Sequence, residues 1–148
     1  MHAIILCGIQ GSGKSSYART HWFDTHVRLS LDLLRTRQRE DVLLHACLAA
    51  KVSFVVDNTN PARAQRMRYL QLARTSGYER IGLYYFSCGL AAALERNAQR
   101  TGKQRVPDIA IHGTLAKLET PALDEGWDRI VIVEAGSDGG YREEVLQR

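Results

Sequence analysis

This sequence predicts an α/β domain built on a mostly parallel sheet, and three observations support that class. Short apolar runs alternate with helical patterns along the chain, an order that produces right-handed βαβ units with helices on both sheet faces. The first apolar run ends in a glycine-rich turn that leads directly into a helical pattern. The length of 148 residues, with 45% hydrophobic and 24% charged, suits one domain with a proper core.

The elements follow in order. Ala3–Cys7 reads as a short buried strand, and Lys14–Thr20 as the helix after the glycine turn. Val27–Ser30 is a second, brief strand. Leu31–Ala50 is helical, with apolar positions Leu33, Leu34, Val42, Leu43, Ala46 and Ala49 and a break around Thr36–Glu40. Val52–Val56 is the clearest strand because Phe and Val dominate it. Asn60-Pro61 supplies an N-cap and a first-turn proline for a helix over Pro61–Thr75, which Gly77 stops. Ile81–Phe86 and Ile130–Val133 are the fourth and fifth strands, and Leu90–Arg100 and Asp108–Glu119 the remaining helices. Gly136–Gly140 reads as a flexible turn, with a short helix or frayed residues after it.

Charge is unevenly placed. Residues 1–59 carry seven Lys/Arg against five Asp/Glu, residues 60–105 nine against two, and the remainder four against nine. The positive middle would attract an anion, although solvated helix faces account for at least half of those arginines. Cys7, Cys47 and Cys88 are odd in number and form no CxxC, so they read as reduced core thiols of a cytoplasmic protein. No apolar run approaches the ~20 residues of a membrane span. The start, Met-His-Ala-Ile-Ile-Leu-Cys-Gly, lacks a basic leader region and reads as a strand.

Gly8-Ile9-Gln10-Gly11-Ser12-Gly13-Lys14-Ser15 matches GxxxxGK[ST] in the strand–turn–helix context that such a loop requires. Its glycines let successive N–H groups converge on phosphate at a helix N-terminus. Gly8, Gly11, Ser12, Gly13, Lys14, Ser15 and Ser16 are the expected ATP cradle. Lys14 is placed on the β/γ-phosphates and the Ser15 hydroxyl on Mg²⁺. Val52-Ser53-Phe54-Val55-Val56-Asp57 has the form of a Walker B strand, whose terminal Asp57 either holds the Mg²⁺ shell or caps the Asn58-Thr59-Asn60-Pro61 turn. Asp32, after the second strand, points into the crevice of a doubly wound sheet and could accept a hydroxyl proton. Arg35 lies three residues on, on the same helical face, and could grip a phosphate bidentately. Arg96 and Arg100 are spaced i, i+4 before a loop with Lys103 and Arg105. They either neutralise charge on a transferred phosphoryl group or simply end a basic helix. These motifs together predict a P-loop NTPase three-layer sandwich with a central, mostly parallel five-stranded sheet and a small arginine-bearing lid, with residues 1–148 as a single P-loop kinase domain.

In this order and spacing the motifs resemble the polynucleotide 5′-hydroxyl kinase family, including the kinase domains of phage and bacterial end-healing enzymes. The resemblance runs from Met1 to about Val133. It rests on the P-loop, on Asp32-x-x-Arg35, on Asp57-Asn58-Thr59-Asn60-Pro61 with Arg63, and on Arg96-Asn97-x-x-Arg100 followed by Lys103 and Val106-Pro107. It implies that Lys14 and Ser15 bind nucleotide phosphates, that Asp32 is the general base, and that Arg35 holds the acceptor's phosphate beside its 5′-hydroxyl. It also implies that Arg96 and Arg100 are lid residues over ATP, and that Asp57, Asn58, Thr59 and Arg63 belong to the acceptor side. Pro121, Glu125, Gly126 and Trp127 look like a structural tail of the family. Ser30-Leu31 departs from the family's usual polar-Arg pair, and the segment between Asp32 and the third strand is short. The implied partner is a nucleic-acid 5′-OH end, with a small-molecule, nucleoside or tRNA-linked acceptor, or a non-catalytic nucleotide-binding module, as the competing readings. Oligomeric state has no signature in the sequence.

Overall fold

In the computed structural model, which describes residues 1–146, the apolar runs assemble into one six-stranded sheet of order β2-β3-β1-β4-β5-β6. The strands are β1 His2–Cys7, β2 Val27–Leu29, β3 Phe54–Val56, β4 Arg80–Phe86, β5 Arg129–Ala135 and β6 Tyr141–Leu146. The first five are parallel, and β6 runs antiparallel to β5 with Ile132 opposite Glu144. The sixth strand corrects the expectation of a turn followed by helix or frayed chain; residues 147–148 lie outside the described ones. Tyr-Arg-Glu-Glu-Val-Leu is almost wholly exposed, so it has none of the apolar alternation that announces a strand. Its charges suit an edge, where they discourage pairing with another chain.

The helices are α1 Lys14–Trp22, α2 Leu31–Leu34, α3 Arg37–Ala50, α4 Arg63–Thr75, α5 Leu90–Gln99 and α6 Asp108–Lys117. β1 shows how the layers are built. Ala3, Ile5 and Cys7 pack on one side with α3 and α4, while Ile4 and Leu6 pack on the other with Tyr17, Ala18 and Trp22 of α1. A strand buried on both faces reads as a continuous apolar run for this reason. A smaller cluster of Ile9, Ala93 and Ile111 joins α5 and α6 to the P-loop.

Two expectations are corrected here. The break in the second helix is real, with Thr36 capping α3 by accepting from the Arg39 N–H at 3.2 Å, but the apolar face of α3 is displaced. Val42 and Leu43 are 64% and 41% exposed, while Glu40, Leu44, Cys47 and Leu48 form the buried face. Secondly, α4 starts at Arg63 and not at Pro61. The Asn60 amide donates to the Leu6 carbonyl at 2.8 Å instead of capping the helix, and the Ala62 N–H is taken by Gln65 at 3.1 Å.

Behind the sheet ends lies a buried ion pair. Arg66 meets Glu125 at 2.5 Å, and its guanidinium also donates to the carbonyls of Asn60 and Pro61. The Trp127 indole N–H closes the set on Glu125 at 2.8 Å. Glu125 and Trp127 thus act as core, holding the chain that follows Asp57 from behind. Among the described residues, no helix is long and apolar enough to cross a membrane.

Candidate functional site

The carboxyl ends of β1, β2 and β3 open into a cleft of about 230 Å³, the place where a parallel sheet presents its loops to a ligand. Its wall on one side is the loop between β1 and α1. There the Lys14 ammonium donates to the carbonyls of Gly8 and Ile9, each at 2.9 Å, and approaches the Ser12 hydroxyl at 3.5 Å. Burial pushes Lys14 down to about 8, and the nearby Asp57 carboxylate opposes that shift. Gly11, with φ +80°, has no room for a side chain, because a Cβ there would stand 2.7 Å from the Ala93 carbonyl of α5. From the same helix Arg96 donates to the Gly11 carbonyl at 3.0 Å. The loop carbonyls are therefore held by the Lys14 and Arg96 side chains, with the α5 backbone pressed against Gly11.

At the cleft floor the Ser15 hydroxyl donates to Asp57 Oδ2 at 2.9 Å. Arg28, from the edge strand β2, reaches the same oxygen through Nε at 2.9 Å and Nη2 at 2.8 Å. These two contacts fix the position of the Asp57 carboxylate. A serine hydroxyl bonded to a strand-end carboxylate beside a phosphate loop is an all-oxygen set that fits Mg²⁺.

The opposite wall is built from side chains. Asp32 lies in the single turn of α2, exposed and lining the cleft. Asn58 supports that turn, accepting from the Leu31 N–H at 2.9 Å and donating to Glu40 at 2.7 Å. Glu40, wholly buried, also accepts from the Tyr69 hydroxyl and from Arg37 at 3.2 Å. Burial and the Glu40 hydrogen bond push Tyr69 up to about 12, so it stays a donor. The roof is the segment after α5, where Arg100, Lys103, Gln104 and Val106 line the cleft. Asn97 ties that roof down, bonding the Val106 N–H at 3.0 Å and its carbonyl at 2.7 Å.

The expected site residues divide accordingly. Gly11, Gly13, Lys14, Ser15, Asp32, Asp57, Asn58, Thr59 and Arg100 line one cleft. Gly8 and Ser12 back the loop by contacting Lys14, and Ser16 is exposed on the first turn of α1. Four arginines depart from the expectation. Arg35 was placed on a helical face with Asp32, but α2 ends at Leu34 and Arg35 takes φ 76° beyond it, exposed and outside the cleft lining. Arg63 forks onto Asp124, with both contacts at 3.2 Å, and lies outside the cleft. Arg96 and Arg100 do not act as an i, i+4 pair. α5 stops at Gln99, so Arg96 holds the loop while Arg100 enters the cleft. Sequence reasoning missed Arg37, Gln10 and Gln104 in the lining, and Arg28 and Glu40 behind it. Only Arg28 carried a signal, as a charge inside a strand.

The chain belongs to the AAA domain family, whose model matches residues 4–121, and its fold is that of the P-loop kinases, with a mostly parallel central sheet. Among curated relatives it is similar to the bifunctional polynucleotide phosphatase/kinase of Schizosaccharomyces pombe, 24% identical over 131 residues, which cover 86% of this chain and 32% of that one. It is also similar to the L-seryl-tRNA(Sec) kinase of Methanococcus maripaludis, 25% identical over 144 residues, covering 84% of this chain and 55% of the relative. The chain thus spans a third to about half the length of these relatives. Among solved structures, a gluconokinase from Sinorhizobium meliloti 1021 superposes with a TM-score of 0.61 at 21% identity, covering 89% of this chain and 81% of that one. That likeness speaks for the fold alone.

Proposed function

We propose that the chain is a single kinase domain that transfers the γ-phosphoryl group of ATP to a hydroxyl, the 5′-hydroxyl of a polynucleotide. The observation that carries this reading is the placement of Asp32. A carboxylate on a side-chain-built wall faces a phosphate loop across one small cleft that also holds Arg100. A nucleotide sensor needs the loop but has no use for the carboxylate. In the proposed reaction the acceptor oxygen forms a bond to the γ-phosphorus, the bond from that phosphorus to the β–γ bridging oxygen breaks, and ADP departs. Asp32 orients the acceptor hydroxyl and takes its proton. Lys14 and the loop N–H groups hold the phosphates, and Arg100 neutralises charge on the transferred group. Ser15 and Asp57 would hold Mg²⁺, which would supply further neutralisation of phosphate charge. Arg37, inside the cleft, is better placed than Arg35 to bind a phosphate of the acceptor.

The polynucleotide acceptor draws support from the Schizosaccharomyces pombe relative, and the competing tRNA-linked acceptor from the Methanococcus maripaludis relative. Label transfer from γ-labelled ATP to 5′-hydroxyl DNA, 5′-hydroxyl RNA, free nucleosides and seryl-tRNA separates them. The expected result is labelled oligonucleotide, with acceptor affinity falling steeply as salt rises. Labelling of seryl-tRNA or a nucleoside alone would replace the polynucleotide reading.

A further inference from the structure

The two faces of the sheet are unequally covered. α3 and α4 pack on one face, whereas α1 alone packs on the other. Between the C-terminal half of α1 and the edge strand β2 this leaves a groove of about 380 Å³, floored by Ala18 and Val55. Its walls are Arg19, Trp22, Phe23, His26 and Arg28, with no carboxylate among the lining residues. Phe23 is 77% exposed, a large apolar surface with nothing against it. Burial pushes His26 below its ordinary value, so it presents a neutral ring at pH 7. His2 stands edge-on to that ring at 5.2 Å, and Trp22 lies 6.1 Å from it. Arg28 is ion-paired with Asp57, so among the described residues the unpaired positive charge of the lining rests on Arg19, beside the exposed ring of Phe23.

The groove meets the cleft at Ser15, which lines both. Arg28 forms the partition, bonded to Asp57 on the cleft side. From Ser15 to Phe23 the chain rises about 12 Å along the helix axis, against about 3.4 Å of axial rise per nucleotide in a stacked strand, so the groove is longer than one nucleotide step. A guanidinium beside an exposed aromatic face suits a ligand that alternates anionic phosphates with flat bases. An acidic peptide would use the arginine but leave the ring idle.

We propose that this groove binds the strand of the nucleic-acid acceptor beyond its reacting end, with a base against the exposed ring of Phe23 and a phosphate on Arg19. The inference rests on the polynucleotide reading above. The test uses the whole chain with 5′-hydroxyl oligonucleotides of increasing length, from two to eight nucleotides, and follows tryptophan fluorescence. Both tryptophans are largely buried, but Trp22 lines the groove while Trp127 packs in the core cluster of the opposite face, so a strand in the groove changes the surroundings of Trp22 alone. The wild type should bind longer strands more tightly by roughly 5- to 100-fold, the value of one stacked base, with quenching of Trp22. The double variant Arg19→Ala/Phe23→Ala alters two exposed side chains, and an unchanged circular dichroism spectrum and melting midpoint will show that it folds. It should lose most of that gain with length. Affinity independent of length in the wild type, an equal gain in the variant, or equal quenching by oligo-glutamate would each overturn the groove assignment. Long strands that bind through the groove yet are never phosphorylated would leave the groove and remove the kinase reading. Phosphorylated strands whose length dependence survives the double substitution would do the reverse.

Discussion

The two walls of the cleft are built differently. The donor wall is main chain. Gly11 sits beneath Ala93 with no space for a methyl group, and Lys14 is fixed by the loop's own carbonyls. The acceptor wall is side chain. Asp32 stands on a single helical turn whose position depends on Asn58, then Glu40, then Tyr69. A triphosphate has the same shape in every reaction, so rigid backbone serves it. An acceptor differs between enzymes, and a wall of side chains on a supporting network can be replaced without disturbing the loop. The relatives' differing acceptors, a polynucleotide and a seryl-tRNA, fit this division.

The largest effect should come from the donor wall. Lys14→Ala should abolish phosphoryl transfer in a radiolabel assay while leaving the fold intact, since Lys14 lies on the loop and belongs to neither of the clusters that pack the sheet. The wild-type enzyme should show the same dependence as a function of pH. Lys14 is protonated below about pH 8 in the free protein, so nucleotide affinity should fall as pH rises through 8, by up to about tenfold per unit. The unfolded chain keeps its lysine proton until about pH 10.4, so the cost of burying this charge is fully present below about pH 8 and is relieved as pH rises from there to about 10.4. Affinity that is flat from pH 7 to 10 would mean that Lys14 is not the phosphate ligand.

The acceptor wall should respond next, and in a different parameter. Asp32→Asn keeps the shape but loses the charge, so kcat should drop by ~10²–10⁴ with the ATP dissociation constant unchanged. A matching loss of ATP affinity would make Asp32 part of the donor side and erase the contrast between the walls. Glu40→Gln, one layer further back, removes the charge that gathers Asn58, Tyr69 and Arg37. Loss of a buried charge-assisted hydrogen bond costs about 1–3 kcal/mol, so the acceptor KM should rise by roughly 5- to 100-fold while the ATP KM holds. Equal changes in both constants would show the network to be general scaffolding.

Both walls were legible in the sequence, to different depths. The glycine turn of the P-loop could be read because glycine spacing encodes backbone conformation directly, although Gln10 within it could not be assigned to the lining. Asp32 and Asp57 could be read because strand ends fix where a residue emerges. The supports could not. Glu40 in a helix has the pattern of a solvent-facing charge, and only the tertiary fold brings Asn58 and Tyr69 to it. The same blindness put the apolar face of α3 on Val42 and Leu43, since leucines and valines outnumber the positions that the sheet can cover. β6 escaped notice for the converse reason, as a polar strand with no buried face of its own.

The smallest effect is expected at Arg63, and it tests how far the acceptor wall extends. The family resemblance places this arginine on the acceptor side, whereas its guanidinium is forked onto Asp124, with 41% of its own side chain and 71% of its partner's exposed. A solvent-exposed pair of this kind contributes about 0–1 kcal/mol, because water and salt screen it and both side chains lose freedom to make it. Arg63→Ala should therefore lower the melting midpoint by a few degrees at most, with the acceptor KM within about twofold of wild type. Asp124→Asn should match it in stability if the pair is all that Arg63 does. The informative outcome is a split between the two variants. If Arg63→Ala raises the acceptor KM tenfold while Asp124→Asn leaves it alone or lowers it, Arg63 leaves Asp124 when the acceptor arrives. The acceptor wall would then include a residue that the free structure holds in reserve on the far side of α4's first turn.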